Sequence, residues 1–477
     1  MIKRKLSPGP ALAAAVLIFG FSASMRAGQA LEHYLRAAEA DNPALKALHS
    51  EYLAALKKVP QSRGLPDPQL SAGIFLRPME RYMGDQTAGL QAMQMFPWPG
   101  TLGAAGREAA AMAQARFEAW REARSDVLFD VKAGWHAVYV LDREISIIRE
   151  TLVLLQSLDA IARTRFAAGG SGSTPDKARR PENAGKPPAG EGTGGGTGSM
   201  AGMPGGGAPV GGSAAPGMKG SMPMPAGSGT GLADLLRIRM EILELENRLD
   251  LLGDDRATAA ARLNRFLDRE PRDPVALPET LHRAELPGPP EIAAGIIDRD
   301  NPMLKMLESE GQALRAKESM SRKMGLPMFG LGLQYETFRP RPDQESHDRS
   351  MGMLMPMVTV SIPLWRKKYA AAVAETRLQL KGLEDRQRDA RNRLSVGYQE
   401  ALARFRDAER RIALYDQLAG LARQALEVLT AGYATAGRDF EEVLGVQRQL
   451  LDLRLKRIEA GADRNIAVAL VERLMGE

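Results

Sequence analysis

The sequence predicts a mainly α-helical protein with a transmembrane β-barrel, built from a duplicated unit of helix, β-hairpin and long helix hairpin. Three observations predict this fold class. A coiled-coil pattern follows a very long C-terminal helix, the same order of helix and strand signals occurs twice, and each copy holds two strand-like segments of membrane-spanning length. The combination indicates an elongated protein.

Residues 1–30 predict a secretory signal peptide. Three basic residues at positions 3–5 precede an apolar core at 11–21 and a small-residue cleavage site at 28–30. The alternative, an N-terminal membrane anchor, is less favoured because the apolar run is shorter than the roughly 20 residues of a spanning helix. The leader also carries much of the formal net charge of +6, so no nucleic-acid partner is indicated.

The mature sequence reads as two copies of one unit. Two tripeptides that bound the first helix of each copy recur in the same order: Asp-Asn-Pro at 41–43 and 300–302, and Gly-Leu-Pro at 64–66 and 325–327. Several matches in one order, at slowly drifting offsets, indicate an internal duplication. We therefore predict a first structural repeat over residues 31–285 and a second over residues 286–477.

Each copy holds two segments with alternating character, joined by a polar loop, which predicts β-hairpins at about 69–96 and about 329–362. Each segment has roughly the 9 to 11 residues that cross a membrane as a tilted strand. Strands in lipid can pair all their backbone N–H and C=O groups only in a closed barrel, and four strands are too few to close one. We therefore predict that three chains pool twelve strands. The alternative is a pair of soluble hairpins that cap a helical bundle.

Long helices follow each hairpin, at about 103–168 and 232–268 in the first copy and about 366–436 and 440–474 in the second. Along the third of these helices, apolar residues alternate four and three apart, which is a coiled-coil seam. The seam comprises Leu394, Tyr398, Ala401, Phe405, Ala408, Ile412, Tyr415, Ala419, Ala422, Leu426, Leu429 and Tyr433. At about 1.5 Å per residue this helix is on the order of 100 Å long, so it must pack lengthwise against other helices.

An insertion separates the two long helices of the first copy. Residues 169–231 are rich in Gly, Ser, Pro and Ala, a composition that cannot bury enough apolar surface to offset chain entropy. The second copy has only a short break at Gly437-Arg438-Asp439 in the same place. We predict a disordered, Gly- and Met-rich insertion of roughly 60 residues at a helix-hairpin tip.

With these features, the chain resembles the TolC-like outer-membrane efflux family, and within it the heavy-metal branch is the candidate. The resemblance rests on the order of the duplicated elements, the Asn-Pro helix starts, Phe-Pro-Trp-Pro-Gly at 96–100 and Ile-Pro-Leu-Trp at 362–365, and the two tips at 165–169 and 432–437. It covers nearly all of the mature chain except the insertion. No single motif is strong, but their order is specific.

The resemblance implies a homotrimer in the outer membrane of a Gram-negative bacterium: a twelve-stranded barrel in lipid and an α-helical tunnel through the periplasm. It also implies a periplasmic adaptor (membrane fusion) protein and an inner-membrane pump as partners. The hairpin tips would form the periplasmic entrance. Family members often place acidic residues just after the second tip, and the gate candidates here are Asp439, Glu441, Glu442 and Asp234. The alternative for each acid is a solvated residue in a helix's first turn, where it favours the dipole.

Methionine is the feature that points to a cargo. Four methionines alternate along one predicted strand, and their shared face is expected to line the lumen: Met351, Met353, Met355 and Met357. The repeat matches that face to a polar set in the first copy: Asp85, Thr87, Gly89 and Gln91. The insertion adds five more methionines: Met200, Met203, Met218, Met222 and Met224. Thioethers are soft ligands for Cu(I) and Ag(I), so these nine methionines are candidate metal contacts. The alternative is adaptable filler.

The chain has no enzyme constellation: it lacks cysteine, a phosphate loop and clustered histidines, so neither a catalytic role nor a cofactor is expected. We expect the passive exit duct of a three-component efflux pump, with heavy-metal ions such as Cu(I) or Ag(I) as candidate cargo. The alternatives are an exit duct for drug efflux or type I protein secretion and, in another class, a periplasmic coiled-coil adaptor or structural protein.

Overall fold

The computed structural model describes residues 27–77, 80–81, 84–169, 230–339, 352–434 and 440–476. Its elements follow one order twice, helices then strands then long helices. In the first copy they are α1 (Ala27–Asp41), α2 (Pro43–Arg63), β1 (Gln69–Ile74), β2 (Glu80–Arg81), β3 (Gly84–Phe96), α3 (Thr101–Gly169) and α4 (Thr230–Phe266). In the second they are α5 (Pro290–Asp300), α6 (Pro302–Met324), β4 (Met328–Arg339), β5 (Gly352–Ser361), α7 (Arg366–Ala434) and α8 (Phe440–Met475).

The mainly helical fold with one sheet and a duplicated order of elements confirms the predicted fold class. Most of the predicted signal peptide, nearly all of the insertion, Met351 and Asp439 lie outside the described residues. In the described part of the chain, no helix is long and apolar enough to cross a membrane.

All strands join one antiparallel sheet in the order β1-β3-β4-β5, so the two hairpins pair through β3 and β4. The two-residue strand β2, which the sequence pattern does not predict, extends the first hairpin beside β3. Among the described strands, β1 and β5 each have a partner on one side only.

One face of this sheet is apolar and exposed. Six large side chains on β4 and β5 leave 43% to 73% of their surface accessible: Leu331, Leu333, Tyr335, Leu354, Val358 and Val360. The strand period puts these residues on one side, since side chains alternate between the faces. A contiguous apolar surface of this kind needs another apolar phase or protein to cover it.

The apolar core of the protein lies between the long helices, away from the sheet. α3 and α7 each have 69 residues, which is about 100 Å at 1.5 Å per residue. Every residue of the predicted α7 seam is buried or half-buried, so the coiled-coil pattern is confirmed. The largest apolar cluster joins α3, α4, α7 and α8 and includes Ile148, Ile238, Leu426 and Val443.

Two ion pairs join the middle of α3 to the last turn of α8, and so join the two copies. Lys132 Nζ lies 2.5 Å from Glu472 Oε2, and Arg473 Nε lies 2.6 Å from Asp126 Oδ1, so both pairs connect α3 with α8. A second apolar cluster around the fully buried Trp135 ties α1 to α3 and α4. The first copy therefore packs against the second over helical surfaces as well as through the sheet.

Candidate functional site

The end of the helical bundle opposite the sheet is the first candidate site. There α3 ends at Gly169, α4 begins at Thr230, and α7 and α8 meet across the five positions between Ala434 and Phe440. The Tyr433 ring packs against the Phe440 ring with centroids 5.2 Å apart, and both side chains are buried. These aromatic residues close α7 onto α8 next to the break.

Three of the four predicted gate acids lie at this end, while Asp439 falls outside the described residues. Glu441 and Glu442 are exposed in the first turn of α8, and Asp234 is half-buried near the start of α4. Glu441 Oε2 accepts a hydrogen bond from Arg237 Nη1 at 3.2 Å, which connects α8 with α4. The arrangement brings acids of the two tips to one end of the bundle, and it also suits the dipole of α8.

Glu241 and Arg448 form a second link between α4 and α8 that the sequence pattern does not reveal. Arg448 Nε donates to Glu241 Oε2 at 2.8 Å, and another guanidinium nitrogen contacts the same oxygen. The Glu241 side chain is only 8% exposed, whereas the Arg448 side chain is 60% exposed. The hydrogen bond to Glu241 raises the pKa of the Arg448 guanidinium further above its usual value, so Arg448 remains charged at neutral pH.

The second candidate site is the face of the sheet opposite the exposed apolar side chains. Met353, Met355 and Met357 on β5 share this face with Glu336, Gln334 and Gly332 on β4, their respective partners in register. β3 adds two methionines that are not among the nine predicted metal contacts, Met93 and Met95, which pair with Gly332 and Gly330. The Met-Gln-Met alternation at 93–95 is the sequence signal that would have found them.

The predicted polar counterpart of the methionine face is wrong at its outer end. Gly89 and Gln91 pair with Glu336 and Gln334 and do share the face. Between Gln86 and Ala88, however, the register with β4 shifts at a bulge. Asp85 therefore pairs with Arg339, whose side chain belongs to the opposite face. The extra residue at the bulge shifts the strand by one position, so the side chains on its two sides alternate out of phase. Asp85 therefore does not lie on the methionine face, although Gly89 and Gln91 do.

No group of three or more His, Cys, Asp or Glu residues within the described ranges is arranged to hold a metal ion. The donors on the sheet face are instead thioethers, with amides and one carboxylate beside them. The side-chain amide of Gln334 donates to Glu336 Oε1 at 2.7 Å, and the Glu336 side chain is buried. This donor set favours soft monovalent ions over Zn²⁺ or Mg²⁺.

Residues 297–477 match the family model described as outer membrane efflux protein. This part of the chain is similar to that family. No curated protein sequence matches the chain. The family match covers the second copy from the end of α5 onward, and the duplicated order of elements extends the same architecture to the first copy.

Solved outer-membrane channels share the fold of this chain. CusC matches with a TM-score of 0.68 at 14% identity, over 94% of this chain and 92% of CusC. VceC from Vibrio cholerae matches with 0.66 at 13% identity, over 94% and 98% of the two chains. The outer membrane channel MtrE of Neisseria gonorrhoeae, in its open state, matches with 0.65 at 13% identity, over 94% and 89%. At these identities the likeness establishes the fold alone.

Proposed function

We propose that this chain is the outer-membrane exit duct of a three-component efflux pump. The observation that carries the proposal is the sheet, which has one exposed apolar face and two edge strands and is attached to helices about 100 Å long. Unpaired edges are not viable in lipid, so β1 of one chain needs β5 of another. Leaving out the two-residue β2, three chains supply twelve strands, a number within the range of known barrels.

In this proposal the homotrimer sits in the outer membrane of a Gram-negative bacterium, and its helices extend into the periplasm. Its partners are outer-membrane lipid, a periplasmic adaptor protein at the helical tips, and an inner-membrane pump. The chain contributes a passage and no catalysis. The match of residues 297–477 to the outer membrane efflux protein model supports the outer-membrane efflux role, and the apolar sheet face argues against a soluble coiled-coil adaptor.

The tips act as the periplasmic gate in this proposal. Three copies of Glu442, in the first turn of α8, would meet around the threefold axis and attract cations. The Arg237–Glu441 and Arg448–Glu241 pairs hold α8 against α4 within each chain. Opening would move α8 relative to α4, so these pairs oppose it.

Soft metal ions are the cargo that the methionines favour, with drugs or secreted proteins as the alternatives. Cell fractionation tests the duct itself: we expect the protein in the outer membrane as a detergent-stable trimer, and recovery with soluble periplasm would overturn the proposal.

A gene deletion tests the cargo. We expect lower tolerance of copper and silver salts, and unchanged metal tolerance with reduced drug tolerance would assign the duct to drugs.

A further inference from the structure

Two methionines face each other across a glycine on the polar side of the sheet. In register, Met93 on β3 lies beside Gly332 on β4, which in turn lies beside Met357 on β5. The backbones of β3 and β5 are therefore about two strand spacings apart, roughly 9.6 Å. The glycine between them has no side chain, so the space above it is open to the side chains on either side.

The neighbouring side chains use that space. A Cβ added to Gly332 would lie 3.5 Å from Met357 Cε, and a Cβ added to Gly330 would lie 2.7 Å from Met95 Sδ. Each glycine thus admits a methionine from a different neighbouring strand. Larger residues at both positions would keep the methionines of β3 and β5 apart.

The next two rows of the sheet extend the same surface. Gln91, Gln334 and Met355 form one row, and Gly89, Glu336 and Met353 form the other. Together with the Met93–Gly332–Met357 row and the row that pairs Met95 with Gly330, these make four successive rows on this face, and they contain all five methionines. The carboxylate of Glu336 adds negative charge at one end. Cations would be drawn toward this surface by that charge and held by the thioethers.

Packing does not account for the methionines here. Methionine commonly fills irregular gaps in apolar cores, but these residues share their face with glutamines and a glutamate. The large aliphatic side chains lie on the opposite face. In a barrel whose apolar face meets lipid, the methionine face lines the passage.

We propose that Met93, Met95, Met353, Met355 and Met357 form a soft-metal contact site for Cu(I) or Ag(I) on the lumenal wall of the barrel. The site rests on the proposed duct function and deepens it by assigning the side chains that contact the cargo. Thioether ligands bind these ions without proton release or redox change. The contact is transient, since conduction requires that an ion can leave each site that it enters.

Methionine oxidation tests the site residue by residue in the full-length protein. A thioether whose lone pair coordinates Ag(I) reacts slowly with hydrogen peroxide, and mass spectrometry locates each sulfoxide. With silver nitrate in chloride-free detergent buffer, we expect oxidation of the five methionines to slow by about tenfold. Three exposed helical methionines, Met112, Met240 and Met324, serve as internal controls and should oxidise as before. Zinc nitrate should protect neither group.

Two double variants, each with two methionines replaced, test whether the protection depends on the thioethers beside Gly332. Met93→Leu with Met357→Leu removes the two thioethers beside Gly332, and we expect protection of Met95 and Met355 to fall. Met112→Leu with Met240→Leu removes the same number of thioethers elsewhere and should leave that protection intact. Equal oxidation of the five wild-type methionines with and without Ag(I), or full protection in the first variant, overturns the site. Neither result affects the duct, which fails only if no membrane trimer is recovered from the same cells.

Discussion

Asn42 and Asn301 make the same three hydrogen bonds in the two copies of the repeat. Asn42 Oδ1 accepts from the backbone N–H groups of Ala44 and Leu45 at the start of α2, and its Nδ2 donates to the Phe266 carbonyl at 3.0 Å. Asn301 accepts from Met303 and Leu304 and donates to the Leu474 carbonyl at 2.9 Å. One side-chain amide thus caps the start of a short helix and donates a hydrogen bond to a backbone carbonyl at the end of a long helix.

Replacing either asparagine should loosen this junction. We expect Asn301→Ala to destabilise the protein by about 1–2 kcal/mol for the lost cap, plus the cost of the unpaired Leu474 carbonyl. Asn42→Ala should behave alike because its contacts are equivalent. Asn301→Asp keeps the acceptor and loses the amide donor, so its thermal midpoint should fall between those of the wild type and Asn301→Ala. An Asp variant as unstable as the Ala variant would show that the donor dominates.

Some of this arrangement can be read from the sequence and some cannot. The Asn-Pro pairs and the α7 seam are local patterns, so they predict helix starts and a buried stripe directly. The bulge near Thr87 depends on pairing with a strand about 250 residues away, where Thr87 Oγ1 donates to the Thr337 carbonyl at 3.0 Å. The Glu241–Arg448 pair depends on how α4 meets α8, since neither residue stands out within its own helix.

Glu241→Gln should make the periplasmic tip open more readily. Neutralising this buried carboxylate weakens the link from α4 to α8 and leaves the charge of Arg448 unbalanced, which we expect to cost about 1–3 kcal/mol. Single-channel recording in a planar bilayer should show a higher open probability. Glu441→Gln is the matched control: its ion pair with Arg237 is exposed, so the effect should be below about 1 kcal/mol. A larger effect at Glu441 than at Glu241 would contradict this ranking.

Glu442→Gln should reduce the preference of the channel for cations. In the proposed trimer, three Glu442 carboxylates would surround the opening and attract cations, and the substitution removes that charge while it preserves the size of the side chain. The reversal potential in a salt gradient measures the change. Glu472→Gln, which removes an acid paired with Lys132 on the helical surface, provides the comparison. Unchanged selectivity in Glu442→Gln would place this residue away from the opening.

His136 should make the helical bundle less stable in acid. Burial, followed by the nearby Lys132 charge, lowers the pKa of His136 from 6.5 to about 4. The folded protein thus holds this histidine neutral, whereas the unfolded chain takes up a proton below pH 6.5. The stabilisation is complete above pH 6.5 and is lost as the pH falls toward 4, by up to about 3 kcal/mol.

Thermal midpoints of the detergent-solubilised protein between pH 7 and pH 4 measure this dependence. His136→Gln should flatten the profile because glutamine does not titrate, even where the variant is less stable at pH 7. His33→Gln, which alters an exposed histidine on α1, is the matched control. The same slope in His136→Gln as in the wild type would assign the acid sensitivity to other groups.

Deleting residues 171–228 should leave folding and assembly intact. The flanking helices make their own contacts, since Leu155 and Leu158 on α3 and Ile238 on α4 are buried in the main apolar cluster, and α7 and α8 form a tip without an insertion of this length. We expect a detergent-stable trimer with a thermal midpoint like that of the full-length protein. The deletion also removes five methionines and none of those on the sheet. Protection of Met93 and Met357 by Ag(I) should therefore persist in the shortened chain, and its disappearance would move the metal contact from the sheet to the insertion.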